Sequence, residues 1–370
     1  MKVLFNSLGF YDGVGGVGTY LDCLVRHLAC DVEIAVAREG RSLDSFFGGK
    51  SFRGRGLLFR ILSPIVRSCE WMNERKLAAR IDEGDFDVLH LAGAHEWGKA
   101  WRGAVGKKPI VATVHDLIPE IFNMPMLESR MRRHVLSAAT VIIAISENTK
   151  RDLMRFYGVP EDKIAVIYHG APDMAAFETM DDATNAGRPY VVFVGKRDGY
   201  KNWRWLVEAM AGRLRDGLRL VCTWREFDEG ERAFLKSLGV ERNVTARSCS
   251  RDEIRELYRH ALALAFPSRY EGFGLPILEA WASGCPVILS RASCFPEVGG
   301  DAALYFGLDD ADALSRCLDE VGEEGRRKDL IARGRQRVGL FTWEKTAEKT
   351  LAAYEKAIRL FSHANRRGAK

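Results

Sequence analysis

Short β-rich runs alternate with helix-length segments along almost the whole chain, and that alternation limits the fold more than any other feature. Val3-Leu4-Phe5 leads into a glycine loop and then into Tyr20 to Leu28, whose apolar positions fall three and four apart as a helix requires. Further strands are expected at Val32 to Val36, Val88 to Leu91, Ile110 to Val114, Val141 to Ile145 and Ile164 to Ile167. Helices fit between most of them. Asn148 to Tyr157 is one, with Ser146 placed as its N-cap and Gly158 as its terminator. Repetition of this kind predicts an α/β protein whose parallel sheet is covered on both faces.

The alternation breaks near residues 171–189. Ala171-Pro172-Asp173 and the run from Asp181 to Pro189 are polar, turn-rich and aperiodic, as a linker between domains should be. It then restarts with strand Tyr190 to Val194, helix Trp203 to Met210, strand Arg219 to Thr223 and helix Glu231 to Leu238. A strand around Val244, helix Arg251 to Arg259 and strand Ala261 to Phe266 follow. The expected domains are 1–172 and 189–342, joined by 173–188, which suits a chain of 370 residues. Ligands of doubly wound sheets bind beyond the carboxyl ends of the strands, so the cleft between the halves is where chemistry is expected.

Composition is that of a globular protein with no bias toward disorder, with 47% hydrophobic and 28% charged residues. The net charge of +5 suits phosphorylated small molecules or an anionic membrane surface and does not call for nucleic acid. Eight cysteines are scattered without C-x-x-C spacing, which points to buried thiols in a reducing compartment rather than to zinc or redox chemistry. Neither a signal peptide nor a membrane-spanning run is visible, so a cytoplasmic address is expected. The stretch Phe52 to Arg80 carries seven basic and two acidic residues among many apolar ones. It fits a solvated helix packed on the first domain, and it fits a peripheral contact with anionic lipid at the inner face of the plasma membrane.

The strongest local signal runs from Phe266 to Glu279. A strand ends, a loop with Gly272 and Gly274 follows, and Pro276 stands where a first helical turn accepts proline. Amides of Phe273, Gly274 and Leu275 at such a helix start favour a diphosphate, and the glycines permit close backbone approach. Glu271 and Glu279 flank the helix start, and carboxylates accept hydroxyl hydrogens from sugar or ribose rings. A second strand-end loop, Gly195-Lys196-Arg197-Asp198-Gly199-Tyr200-Lys201, supplies three cations suited to phosphate.

Together these segments resemble the family 4 glycosyltransferases of the GT-B fold, whose hallmark is a Glu-x7-Glu motif. Here it spans Glu271 to Glu279. The likeness extends over nearly the whole chain. It takes in the early Gly-Gly-Val-Gly loop, His115-Asp116, the run from Ser146 to Asp152, Gly195 to Lys201, and Phe341-Thr342-Trp343-Glu344-Lys345. The resemblance implies two Rossmann-like doubly wound domains facing across a cleft, with the acceptor on the first and a nucleotide diphosphate sugar on the second. A last helix, about 343–361, would pack back on the first domain. It further implies that Lys201 and a nearby cation hold the diphosphate, that Glu271 reaches donor-sugar hydroxyls, and that Glu279 binds the ribose. Many relatives have arginine directly after the Gly195 position, whereas this chain has Lys196 and then Arg197, leaving two candidates for the second cation. The implied reaction is a retaining, metal-independent transfer with no cofactor. The donor would be a GDP-mannose-like sugar nucleotide, and the acceptor a glycan or lipid-linked saccharide of surface polysaccharide or lipopolysaccharide synthesis.

Gly13-Val14-Gly15-Gly16-Val17-Gly18 also satisfies the G-x-G-x-x-G pattern of dinucleotide binding, with Glu39 near the end of the second strand. That keeps an NAD(P)-dependent oxidoreductase as a rival reading, and a sugar-nucleotide epimerase or binding protein as another. In the glycosyltransferase reading, Gly15 and Gly16 sit opposite the donor phosphates. His115, at the end of its strand, is the catalytic candidate of the first half, with Glu271 and Lys201 in the second. His90, His95 and His169 are ambiguous. Asp85-Phe86-Asp87 has the D-x-D form of a metal motif, but cations and amides can neutralise phosphate charge without a metal.

Overall fold

This computed structural model describes residues 1–6, 16–34, 74–93, 99–124, 127–172, 189–197 and 199–368. The chain forms two compact units, one of Met1–Tyr168 with Trp343–Lys370, the other of His169–Thr342.

The first unit holds strands β1 (Lys2–Asn6), β2 (Asp31–Ile34), β3 (Val88–Leu91), β4 (Ile110–Val114), β5 (Val141–Ala144) and β6 (Ile164–Val166). They lie in the order β2-β1-β3-β4-β5-β6, and every pair is parallel. Every residue of β3, β4 and β5 is buried. Continuous burial, in place of two-residue alternation, is what covering both faces demands. Helix Glu147–Tyr157 has the expected ends: Ser146 Oγ accepts the Thr149 N–H, and Gly158 closes it at φ +63°. The apolar stripe from Tyr20 marks only the buried face of a helix that begins at Gly16 and ends at His27.

The 26-residue helix Trp343–Gly368 belongs to this unit. Its Trp343, Ala347, Tyr354 and Ala357 join Val3, Phe5, Tyr20, Leu24 and Ile143 in one apolar cluster. The last segment of the chain therefore completes a core that the first segment begins. Of the basic stretch Phe52 to Arg80, residues 52–73 lie outside the described residues. The rest is helical, burying Leu77 and pairing Arg80 with Glu33. Among the described residues, no helix is long and apolar enough to cross a membrane.

The second unit contains β7 (Tyr190–Phe193), β8 (Arg219–Thr223), β9 (Val244–Arg247), β10 (Ala263–Phe266), β11 (Val287–Ser290) and β12 (Leu304–Phe306). Their order is β12-β11-β10-β7-β8-β9, again wholly parallel. This is a doubly wound sheet whose direction of winding reverses between β7 and β10, the switch point at which such sheets bind ligands. Helix Trp203–Arg215 runs past the expected end at Met210 because Ala211 and Leu214 continue its buried face. Helices Glu229–Ser237 and Arg251–His260 start in capping boxes, Asp228 with Glu231 and Ser250 with Glu253. Residues 173–188 lie outside the described residues.

Candidate active site

The two glycine loops of the second unit leave β7 and β10, the adjacent strands of the switch point. After β7, Gly195 takes φ +109°, a conformation that side chains disfavour, and its N–H donates to Thr223 Oγ1 at 3.2 Å. A turn at Gly199–Lys201 brings the chain back, and Asn202 at φ +57° starts the next helix. Lys201 is thereby aimed at the loop after β10. Its Nζ lies 2.6 Å from Glu271 Oε1, with both side chains 13% exposed. The Ser268 hydroxyl donates to the same carboxylate oxygen at 2.8 Å. The Arg269 N–H donates to Tyr200 O at 2.8 Å, which ties the two loops together through the backbone.

The loop carrying Glu271 is clamped by residues following β11. Ser293, itself at φ +53°, donates its hydroxyl hydrogen to Glu271 O at 2.6 Å and accepts the Glu271 N–H at 3.2 Å. The Cys294 thiol lies 3.2 Å from Glu271 O and 3.3 Å from Phe273 O. Burial, reinforced by the charges of Glu271 and Glu297, raises the pKa of Cys294 well above the usual thiol range, so it stays a protonated donor. Gly274, at φ +94°, ends the loop. A Cβ there would stand 2.9 Å from Ile277 Cδ1 and 3.3 Å from Phe295 Cε1. Helix Leu275–Ala282 then begins with Pro276 in its first turn. The amides around Phe273, Gly274 and Leu275 thus stand at a helix start, where intrahelical acceptors do not exist and the dipole is positive.

Glu279 sits within that helix, half-buried. Desolvation raises its pKa, against the opposing pull of Arg251 and Arg255 on the helix packed beside it. Its carboxylate is thus more basic than an exposed one, which strengthens it as an acceptor of hydroxyl hydrogens.

The structure gives the two neighbouring cations different surroundings, and Arg197 lies among protein partners. Its side chain is 1% exposed and bonds Glu231 twice, at 2.8 Å through Nε and 3.0 Å through Nη2. Nη2 also reaches the carbonyls of Arg225 and Glu226, and the guanidinium lies against the Phe227 ring. Arg225 binds Glu231 from the other side. Arg197 therefore anchors the loops after β7 and β8 through Nε and Nη2, while its buried Nη1 has no hydrogen-bond partner. Lys196 is exposed, its ammonium 5.3 Å from the centre of the Trp224 ring. Trp224 adopts φ +111° and is 38% exposed, a strained aromatic that composition alone does not flag. Ser268, Ser293 and Cys294 were likewise invisible in the sequence, because serine and cysteine in a loop carry no periodic or charge signal.

In the first unit, His115 follows β4 and is 9% exposed. Its Nε2–H donates to Ala92 O at 2.8 Å. Asp116 Oδ1 accepts the Ile118 N–H at 3.1 Å and opens the short helix Ile118–Ile121. Glu120 in that helix is held by buried Arg132 at 2.5 Å and by the Tyr157 hydroxyl. Gly16 opens the first helix, whereas Gly13, Gly15, Glu39 and His95 lie outside the described residues. Asp85 and Asp87 bind the Lys2 ammonium and the Lys2 N–H, each at 2.7 Å. That fastens the start of β1. Among the described residues, no group of three or more His, Cys, Asp or Glu is placed to hold a metal ion. His169, in the second unit, packs edge-on against Phe273 at 5.2 Å.

Two doubly wound parallel units of six strands each are the architecture of the GT-B glycosyltransferases. Residues 14–173 match the model for Glycosyltransferase Family 4 and residues 188–323 that for Glycosyl transferases group 1. The two matches together take in most of the chain, which is a glycosyltransferase. It is 26% identical to the O-antigen chain mannosyltransferase B of Escherichia coli, covering 96% of this chain and all of that one. It is 29% identical to the MMP alpha-(1->4)-mannosyltransferase of Mycolicibacterium hassiacum, over 77% of this chain and 73% of that one. In fold it is similar to a sucrose-phosphate synthase from Thermosynechococcus elongatus, with a TM-score of 0.73 at 20% identity, covering 98% and 99% of the two chains. A lipopolysaccharide outer core galactosyltransferase gives 0.65 at 16% identity, covering 95% and 99%. With the chain a glycosyltransferase, the oxidoreductase reading of Gly13 to Gly18 falls away.

Proposed function

We propose that this glycosyltransferase moves a hexose, with retention of anomeric configuration, from a GDP-mannose-like donor to a glycan or lipid-linked saccharide in surface polysaccharide synthesis. The observation that carries the reading is the 2.6 Å contact between Lys201 and Glu271 at the switch point. It sets a phosphate-binding cation and a hydroxyl-binding carboxylate side by side, so one ligand with a phosphate next to a sugar would engage both. Glu279, one stretch of helix further on, suits the ribose of the same donor. The mannose preference rests on the mannosyltransferases among the relatives.

In the proposed transfer, the bond between the anomeric carbon and the diphosphate oxygen breaks through an oxocarbenium-like transition state. The acceptor oxygen bonds to that carbon on the face the diphosphate leaves, and the acceptor proton passes to the departing phosphate oxygen. Lys201, Lys196 and the amides of Phe273 to Leu275 neutralise the charge that develops on the phosphate, which removes the need for a divalent ion. His115 hydrogen-bonds the transferring sugar near its reactive carbon. The first unit, with Gly15 and Gly16, takes the acceptor side.

Thermal-shift titration with GDP-, UDP-, dTDP- and ADP-sugars tests the donor, and the anomer of the product, read by NMR, tests retention. Stabilisation by GDP-mannose above the others, and turnover that survives excess chelator, are expected. Preference for a UDP-sugar, an inverted product, or loss of activity in chelator would overturn the corresponding part.

A further inference from the structure

A buried hydrogen-bond chain in the first unit links the C-terminal helix to the surroundings of His115. Tyr354, on helix Trp343–Gly368, has its hydroxyl 2.6 Å from His90 Nδ1 on β3. His90 Nε2 lies 2.8 Å from Thr113 Oγ1 on β4. Thr113 Oγ1 lies 3.1 Å from the Tyr20 hydroxyl on helix Gly16–His27. The Tyr20 ring then meets the His115 imidazole edge-on, with centroids 5.0 Å apart and planes at 76°. Thr113 and His115 are near neighbours on the same strand end, and all four members of the chain are buried.

A neutral imidazole has one donor and one acceptor, so His90 donates one of its two bonds and accepts the other. Either Tyr20 donates to Thr113, Thr113 to His90 and His90 to Tyr354, or Tyr354 donates to His90 and His90 to Thr113, whose hydroxyl then accepts from Tyr20 or donates to it. Each arrangement satisfies every one of these contacts and locks the Tyr20 side chain at its far end. A phenylalanine at residue 20 would fill the same space without the tether.

We propose that Tyr20 is a positioning residue for His115, held in place through Thr113 and His90 by Tyr354 of the C-terminal helix. The inference rests on the reading of His115 as a contact to the transferring sugar. His115 Nε2–H donates to the Ala92 carbonyl, and the Tyr20 ring packs edge-on against the imidazole so bonded. The chain's final helix thus supports the catalytic residue of the opening half without touching substrate.

The test combines Tyr20→Phe and Tyr354→Phe with His115→Ala. Each phenylalanine variant is expected to lower kcat roughly tenfold with the donor KM little changed, as a small misplacement of a catalytic group does. In the His115→Ala background the same substitutions should add nothing, because groups acting through one residue are not additive. An equal loss in both backgrounds, or no loss in either, overturns the proposal. Imidazole 15N NMR of His115 gives a readout independent of turnover. Tyr20→Phe should broaden or shift that signal, and an unchanged signal overturns the proposal. If His115→Ala alone keeps wild-type turnover, the assigned role of His115 fails, and the NMR comparison still decides whether Tyr20 positions the ring.

Discussion

Lys201 and Glu271 are 70 residues apart in sequence, yet their charged groups stand 2.6 Å apart at the point where the second sheet reverses its winding. Neither strand-end loop creates that contact alone. The Gly199–Lys201 turn supplies the cation, and Ser293 with Cys294 clamps the backbone that supplies the carboxylate.

Lys201→Ala is expected to lower kcat on the order of a hundredfold, the effect of deleting one preorganised contact to developing charge. Glu271→Gln should fall less in kcat and should raise the donor KM, since an amide still reaches a hydroxyl. Steady-state kinetics on both variants and on the double variant check this, with the double variant losing less than the product of the singles.

Lys196 and Arg197, adjacent in sequence, should respond oppositely to truncation. Lys196→Ala leaves an exposed loop and should weaken donor turnover while melting like wild type. Arg197→Ala strands the Glu231 carboxylate with Arg225 as its remaining cation, and is expected to cost about 3 kcal/mol, as for a broken buried pair. Urea denaturation alongside donor kinetics separates the two.

Glu279 gives a pH dependence of known sign. Its folded pKa is raised by burial, so its contribution to stability is present below the unfolded carboxylate value and is lost as pH rises through the folded one. Glu279→Gln should therefore raise the melting temperature at pH 7 relative to wild type. The gap should close as pH falls toward 4, while donor affinity drops throughout. A gap that widens in acid would contradict the sign.

His90 has the opposite slope. Burial lowers its pKa from the ordinary 6.5 to about 3, helped slightly by the charge of His115. The unfolded chain takes up a proton that the folded one refuses, so stability is held above pH 6.5 and lost as pH falls toward 3. The expected loss is about 1.4 kcal/mol per pH unit within that window. His90→Gln should remove one proton's worth of that slope in denaturation series between pH 6 and 4. An unchanged slope would show that the folded ring does ionise.

Much of the framework can be read without coordinates. Ser146 and Gly158 mark the ends of their helix because a cap and a left-handed turn are local demands on one or two residues. The strands β3 to β5 are buried throughout because both faces are covered, and apart from His90 and Thr113 they are apolar. The start at Gly16 is hard to place because its first turn, Gly16-Val17-Gly18-Thr19, carries no apolar stripe, while the end at Arg215 follows from the buried Ala211 and Leu214. Arg197 could not be told from Lys196 by type or position, because its partner Glu231 arrives from a helix beyond the next strand. Trp224 and the Ser293–Cys294 clamp stand at the site by virtue of strand order alone.

By itself the sequence determined the repeating α/β pattern, the Glu271 to Glu279 spacing and the cationic loop at Gly195 to Lys201, since each is written in neighbouring residues. Tertiary structure decided which charges meet. Parallel strand order brought the loops after β7 and β10 together, spent Arg197 on Glu231, and ran the last helix back so that Tyr354 reaches His90. Those pairings depend on distances between segments far apart in the chain, and local propensity holds no record of them.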